Sequence, residues 1–384
     1  MAETPIAGTV QPGFESVRDA FAANFQREGE DREIGAALAV YVRGRCVVDL
    51  WGGHRDAAET KPWARDTLVN VWSASKGVVS IAVAILVDQG RLSYDDKVAK
   101  HWPEFAAGGK ADVTVGQLVS HQAGLNGFDA AATTEDLFDW ALSTSRLAGQ
   151  APAWPPGSAV SYHAITHGFL AGEVVRRVTG QDVGGFIRDA LAGPLGADFH
   201  IGLPLAHDWR VGEMVAPVVA SSSAIGAPGQ SPVAARAVGN PKLDATAPNR
   251  RDWRAAQIPA ANGQSSAQGL GRIYAAIANG GALDGQTIIS PTGIDRLRAV
   301  RHPGPDMLLG PRQWAAGVAM NVLPNFGPHA ETFGHSGWGG AYGCANVARG
   351  VAIGYVMNRM GGSLVGNPRS ASLAAAVFAA VDAA

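Results

Sequence analysis

The sequence predicts an α+β fold in which a discontinuous α/β lobe is interrupted by an inserted, mainly helical lobe. Three observations lead there. Strand-like stretches lie near both ends of the chain, the patterns between them are helical, and 384 residues with 47% apolar side chains suffice for two lobes around a shared cleft. The expected boundaries place residues 1–95 and 266–384 in the α/β lobe and 96–265 in the insert.

The elements follow from local pattern. "PGFESVRDAFAANFQREG" spaces Phe14, Val17, Phe21 and Phe25 at nearly helical period and reads as an amphipathic first helix. "IGAALAVYVRGRCVVDLWGG" reads as two strands around the turn at Arg43, Gly44 and Arg45, and "TLVNVW" as a short strand. From Gly77 to Val87 the only polar side chain is Ser80, so this helix is expected to be buried on nearly every face, with Gly90 as its stop. "TVGQLVSHQAGL", "TEDLFDWALST", "THGFLAGEVVRRVTG" and "VGGFIRDALAGPLG" read as helices. From about Ala216 to Asn249 the composition turns to Ala, Ser, Gly and Pro, which predicts a long irregular segment walling a cleft. "SSAQGLGRIYAAIANGG" is the next helix. "WAAGVAMNV", "GCANVAR" and "VAIGYVMN" are strands, and "SASLAAAVFAAVDA" is a closing helix.

Composition excludes several classes. A net charge of −2 implies no surface of the kind that binds nucleic acid. Cys46 and Cys344 lie far apart and form no ligand pattern, so both are expected as small core residues rather than a disulfide or metal site. The histidines of "HDWR" and "RHPG" are isolated and give no metal-binding spacing. No window approaches the ~20 apolar residues of a membrane span. "MAETPIAGTVQPGFESV" has neither a basic start nor an apolar stretch, and a cytoplasmic location is expected.

Three stretches carry chemistry. In "SASKG", Ser73 and Lys76 are three residues apart and share one helical face at the mouth of the buried helix. A serine hydroxyl is a poor nucleophile until a base takes its proton. A lysine serves as that base only when burial depresses its pKa. The bland alternatives are an N-capping serine and a surface lysine. In "WPPGSAVSYHAITHG", Tyr162 follows a Pro-Pro-Gly turn and precedes a helix, so it either projects into a cleft as an acid–base group or simply packs there. In "FGHSGWGGAYG", glycines permit close approach to a ligand and a backbone N–H can face a developing oxyanion beside that of Ser73.

In order and context these stretches resemble the serine β-lactamase and penicillin-recognising superfamily, and within it the class C β-lactamase-like esterases called family VIII carboxylesterases. Ser73-Ala-Ser-Lys76 matches S-x-x-K, Tyr162-His163-Ala164 matches the tyrosine motif, and His335-Ser336-Gly337 stands where β-lactamases carry Lys-Thr-Gly. Trp338-Gly339-Gly340 matches the "WGG" of the esterase branch, and "LVSHQAGL" is similar to a family Leu-Leu-x-His-x-x-Gly-Leu segment. The resemblance runs from about residue 30 to the C-terminus. It implies a β-lactamase/transpeptidase-like fold with a central antiparallel sheet flanked by helices. It also implies hydrolysis of short-chain esters through an acyl-enzyme, with no metal or organic cofactor. Ser73 is then the nucleophile, with Lys76 and Tyr162 as a coupled acid–base pair, and the N–H groups of Ser73 and Trp338 form the oxyanion hole. Gln122, Asn126, Phe128, His335, Ser336, Gly337 and Trp338 are expected to line the pocket.

Two departures favour a neutral ester over a penicillin. Ala164 replaces the family asparagine, and His335 replaces the fixed charge of the third-motif lysine. The rivals are a β-lactamase or D-amino-acid peptidase on the same fold, and an acylatable sensor that does not turn over. A third is an α/β-hydrolase using Ser336 in "GHSGW". Such an elbow wants a small residue at Trp338 and a helix after it.

Overall fold

The computed structural model describes residues 4–217, 232–302, 304–322 and 324–383. Strand β1 (Ile6–Val10) leads into helix α1 (Glu15–Phe25), which buries Val17, Phe21 and Phe25 as their spacing requires. Strands β2 (Gly35–Val42) and β3 (Arg45–Gly53) form the expected hairpin, with Arg43 and Gly44 both at positive φ in its two-residue turn. The short β4 (Val69–Asn70) feeds helix α2 (Ala74–Asp88), in which every residue from Ala74 to Val87 is buried.

The middle of the chain holds α3 (Val98–His101), α4 (Val115–Val119), α5 (Trp140–Gly149), α6 (Thr166–Thr179), α7 (Val183–Ile187), β5 (Phe199–His200), α8 (Pro232–Gly239), α9 (Arg251–Ala255) and β6 (Gln264–Ser265). Then come α10 (Ala267–Ala278), a small hairpin of β7 (Ala282–Leu283) and β8 (Gln286–Thr287), α11 (Pro291–Arg298), and strands β9 (Ala319–Met320), β10 (Phe333–Ser336), β11 (Tyr342–Asn346) and β12 (Val351–Met357). Helix α12 (Pro368–Ala383) ends the chain.

Seven strands form one antiparallel sheet in the order β1-β3-β2-β12-β11-β10-β9. Its seam joins the two ends of the chain, with β2 against β12 from Ala36↔Met357 to Val42↔Val351. This is the antiparallel sheet that the motif resemblance implied. Helix α10 packs on β2, β11 and β12. It comes close because a Cβ on Gly354 would lie 2.4 Å from the Gly271 nitrogen, so small residues face each other there. Helices α1 and α12 pack together, and the buried Arg369 guanidinium bonds Glu33 at 2.7 Å beneath them. The three-stranded β4-β6-β5 sheet ties the nucleophile segment to the end of the helical middle.

Several readings of the sequence change. Strand β1 has no strong sequence signal because it is a half-buried edge that pairs only with β3. The helix expected across "TVGQLVSHQAGL" stops at Val119. A Thr114–Gln117 capping box starts it, and positive φ at His121 and Gly124 turns the chain into a loop. "WAAGVAMNV" yields only the two residues of β9. Within the segment expected to be irregular, 232–239 is helix α8, while 218–231 lies outside the described residues. Cys344 is buried as expected, but Cys46 is exposed at the start of β3, where the strand emerges from its turn. No described helix is long and apolar enough to cross a membrane.

Candidate active site

The nucleophile turn is built around a strained residue. Trp72 adopts φ 47°, a conformation that costs a large non-glycine residue energy and persists only when its surroundings over-determine it. Those surroundings are specific. The Trp72 ring packs against Trp253 and Trp338 at 5.6 and 5.0 Å. The Ser75 hydroxyl donates to the Trp72 carbonyl at 2.5 Å and accepts the Gly263 N–H at 2.9 Å. Val71 N–H donates to the Gly263 carbonyl at 2.8 Å. The consequence shows in exposure: from Thr67 to Val87, Ser73 is the only residue that is not buried. It occupies the N-cap position of α2, yet its hydroxyl makes no capping bond, which removes the bland reading of this serine.

The hydroxyl faces Lys76 instead. Lys76 Nζ lies 3.0 Å from Ser73 Oγ, 2.7 Å from the Ala164 carbonyl and 2.8 Å from the Ala260 carbonyl. A neutral amine has two N–H bonds and one lone pair, so two carbonyls and one serine hydroxyl satisfy it completely. Lys76 is wholly buried with no carboxylate beside it, and that burial drives its pKa well below the ordinary lysine value of 10.5. The Ala164 backbone carbonyl thus supplies the contact expected of the missing side-chain amide. Gly77 explains how the helix docks. A Cβ there would meet the Tyr274 hydroxyl at 2.0 Å and His335 Cβ at 3.1 Å, so glycine lets strand β10 lie against α2.

Tyr162 reaches this pair from the loop before α6, with Lys76 Nζ 4.8 Å from its ring centroid. Burial raises the phenol above its ordinary pKa, and the Ser73 hydroxyl only partly opposes that shift. Burial thus favours the protonated phenol and the neutral amine. Trp314 stacks on the Tyr162 ring at 5.6 Å and 9°, and His121 packs against it at 5.1 Å.

Beneath the site lie histidines held neutral by burial. His163 and His335 are each lowered to about 3, and His121 and His167 well below the usual value. His163 Nε2 accepts the Leu125 N–H, while the His163 backbone N–H donates to His121 Nδ1. His335 stands in strand β10 with Nδ1 2.8 Å from the Ser336 carbonyl oxygen. It is uncharged, as the replacement of a fixed lysine charge requires.

The "WGG" stretch closes the site. Gly337 touches the nucleophile turn, since a Cβ on it would lie 2.2 Å from the Val71 carbonyl oxygen. Among the described residues no hydrogen bond engages the backbone N–H of Ser73 or of Trp338. Ser336 ends a strand that turns into β11, with no helix after it, so the α/β-hydrolase elbow is absent.

A narrow cleft beside Tyr162 is lined by His335, Ser336, Arg312, Trp314, Ala319, Leu309, Leu364 and Val365. His335 and Ser336 were expected there. Gln122, Asn126 and Phe128 are not in that lining. Gln122 donates to the Ser120 hydroxyl, Asn126 to Ser161 and to the Val233 carbonyl, and Phe128 packs near Phe169. Trp338 packs on Trp72 instead of walling the cleft. Trp314 had no sequence signal because "WAAGVAM" reads only as an apolar strand, and Arg312 stands just before it outside any motif. A wider hollow bounded by Arg65, Asp198, Gln268 and Arg272 shares no residue with this site and holds no nucleophile–base pair.

Comparison with known proteins agrees with this geometry. A family model described as Beta-lactamase matches residues 21–376. The chain is 37% identical over 371 residues to the esterase/beta-lactamase LipL of Mycobacterium tuberculosis, covering 94% of this chain and 84% of that protein. A crystal structure of a family VIII carboxylesterase superposes with a TM-score of 0.91 at 42% identity, over 98% of this chain and all of that one. A penicillin-binding protein homologue from Caulobacter crescentus superposes with a TM-score of 0.88 at 41% identity, over 98% of this chain and all of that one.

Proposed function

This chain belongs to the beta-lactamase family, and on that premise we propose that it hydrolyses short-chain carboxylic esters through an acyl-enzyme on Ser73. The observation that carries the reading is a half-exposed hydroxyl 3.0 Å from the amine of a lysine buried without a carboxylate. Relatives named as esterases or solved as a carboxylesterase support the ester as substrate class. The neutral His335 supports it too, since no fixed charge stands in the third motif to favour a penicillin carboxylate.

The steps follow from the protonation states. Neutral Lys76 takes the Ser73 proton as Oγ attacks the ester carbonyl. The N–H groups of Ser73 and Trp338 receive the oxyanion, a contribution in which one lost donor typically costs about 10²–10³ in rate. The protonated Tyr162 phenol gives its proton to the departing alcohol, and the proton held by Lys76 restores the pair. A water then gives a proton to Lys76 and attacks the acyl carbonyl; as the bond to Ser73 Oγ breaks, Lys76 passes that proton to Oγ, which frees the acid and restores the neutral amine and the serine hydroxyl. Side chains and water supply all of this, so the mechanism invokes no cofactor. Leu309, Leu364 and Val365 narrow the cleft, which supports a preference for short chains. The proposal includes a cytoplasmic location and the two-lobe division at residues 95/96 and 265/266.

The test pairs stoichiometric labelling by a fluorophosphonate with turnover of p-nitrophenyl butyrate. Wild-type protein should label once and turn over continuously, and Ser73→Ala should do neither. Labelling that persists in Ser73→Ala would move the nucleophile elsewhere. A single burst followed by silence would make the protein an acylatable sensor.

A further inference from the structure

Arg312 stands in the candidate cleft with nothing to bind. Its side chain is buried, with only 6% of the residue exposed, and it lines the same narrow space as Tyr162, His335 and Ser336. Among the described residues it makes no hydrogen bond and no ion pair, and its Nε is shut off from solvent without a partner. A guanidinium carries five N–H donors in a fixed fork, and no protein group takes up those of Arg312 among the described residues. Arg369 also leaves its Nε unpaired, but its terminal nitrogens are bonded, and Lys76 is bonded throughout. Arg369 bonds Glu33 and two carbonyls, and Lys76 has three partners.

The carboxylate that acts on it, Asp306, does not take Arg312 as a partner. Its oxygens accept the N–H groups of Leu308 and Leu309 at 2.8 and 3.0 Å and the Trp314 indole N–H at 2.9 Å. It forms no ion pair with Arg312, although its charge helps to keep the guanidinium protonated. The remaining titratable groups facing this space, Tyr162 and His335, are both held neutral. Among the described residues that line the cleft, Arg312 is therefore the positive charge, offered on a wall different from the third motif that lost its lysine.

We propose that Arg312 is a specificity-determining residue that binds a carboxylate carried by the ester substrate. The proposal rests on the ester-hydrolase reading and names a substrate class within it. A carboxylate matches the guanidinium fork in two parallel bonds, and it would satisfy donors that otherwise face only water in a narrow cleft. Because Tyr162 hands its proton to the leaving alcohol, the wall beside it faces the alcohol half of the ester.

Two pairs of substrates test this. The first is 4-acetoxybenzoate against the uncharged 4-acetoxybenzamide, which places the carboxylate on the leaving group. The second is the phenyl monoester of adipic acid against its terminal amide, which places it on the acyl group. For each pair the ratio of kcat/KM, charged over neutral, is measured in wild type, Arg312→Met and Arg312→Lys. A ratio is insensitive to the fraction of protein that folds. Arg312→Met should lower the ratio by about 10–100-fold, the range for a hydrogen bond to a charged group, and most strongly for 4-acetoxybenzoate. Arg312→Lys should retain part of it. A fall confined to the adipate pair would keep the carboxylate site and assign it to the acyl half. Ratios equal to wild type in both pairs would overturn the proposal and leave Arg312 as a solvated arginine. If wild type turned over none of the four esters, the ester reading would fail and this proposal with it.

Discussion

Gly337 touches the nucleophile turn, and in the proposed mechanism that contact sets how closely the Ser73 and Trp338 N–H groups approach; Gly337→Ala probes it with one methyl group. The new Cβ would lie 2.2 Å from the Val71 carbonyl oxygen and 3.2 Å from Trp72 Cβ. Real Cβ contacts begin at 3.0–3.4 Å, so the end of β10 and the turn before α2 must part by about 0.8–1.2 Å. Neither side yields easily. Gly337 N–H is bonded to the Ala341 carbonyl at 2.6 Å, and Val71 is bonded to Gly263. The parting would carry the Trp338 N–H away from the Ser73 N–H by nearly the same amount. A misplacement of about 1 Å costs on the order of 10² in rate, and outright loss of one donor about 10²–10³. The expected result is a fall in kcat of about 100-fold on p-nitrophenyl butyrate, with a stability loss of about 1–3 kcal/mol from overpacking. Urea denaturation separates the two effects. Gly149→Ala is the control, because a Cβ there meets nothing within 4 Å. A Gly337→Ala enzyme that is folded and within threefold of wild-type kcat would falsify the placement of Trp338 in the oxyanion site.

Three further expectations concern the charges. Activity should be lost as pH falls through the pKa of Lys76, because the base must be unprotonated, and the midpoint should lie well below 10.5. His163 and His335, at about 3, cannot produce that limb. A pH–rate profile for kcat/KM checks this, and a midpoint at or above 10.5 would refute the buried-amine base. Tyr162→Phe should lower kcat on esters of poorly acidic alcohols more than on p-nitrophenyl esters, whose leaving group needs no proton. Equal losses on both would remove the phenol from proton delivery. Arg369→Met should destabilise the fold by about 3–5 kcal/mol, because it strands the fully buried carboxylate of Glu33. Guanidinium denaturation showing less than 1 kcal/mol would mean that Glu33 simply takes up a proton without cost.

The site was legible where chemistry depends on near neighbours in the chain. Ser73 and Lys76 are one helical turn apart, so helix geometry alone brings them together. The apolar run from Gly77 to Val87 sets the lysine at the mouth of a buried helix, and Lys76 is indeed buried there. Helices α1, α2, α6, α10 and α12 were equally plain, because each carries a long periodic or continuous apolar pattern. Short elements were harder to read. Helix α4 stops after Val119 because His121 adopts positive φ, and β9 keeps two residues, both decided by contacts with other segments.

The sequence by itself determined the order of the motifs, the buried helix and the loss of a fixed charge at His335. Only the tertiary structure decided what surrounds them. The carbonyls of Ala164 and Ala260 hold Lys76, Trp314 stacks on Tyr162, and Arg312 enters the cleft. Backbone carbonyls are present at every residue and leave no mark in a sequence. Arg312 and Trp314 lie about 150 residues beyond Tyr162, and they meet it only because the sheet folds the end of the chain back over the middle. The physical reason is range. Period and propensity act within a few residues, whereas burial, stacking and electrostatic partnership act across space and are fixed only when the distant segments pack.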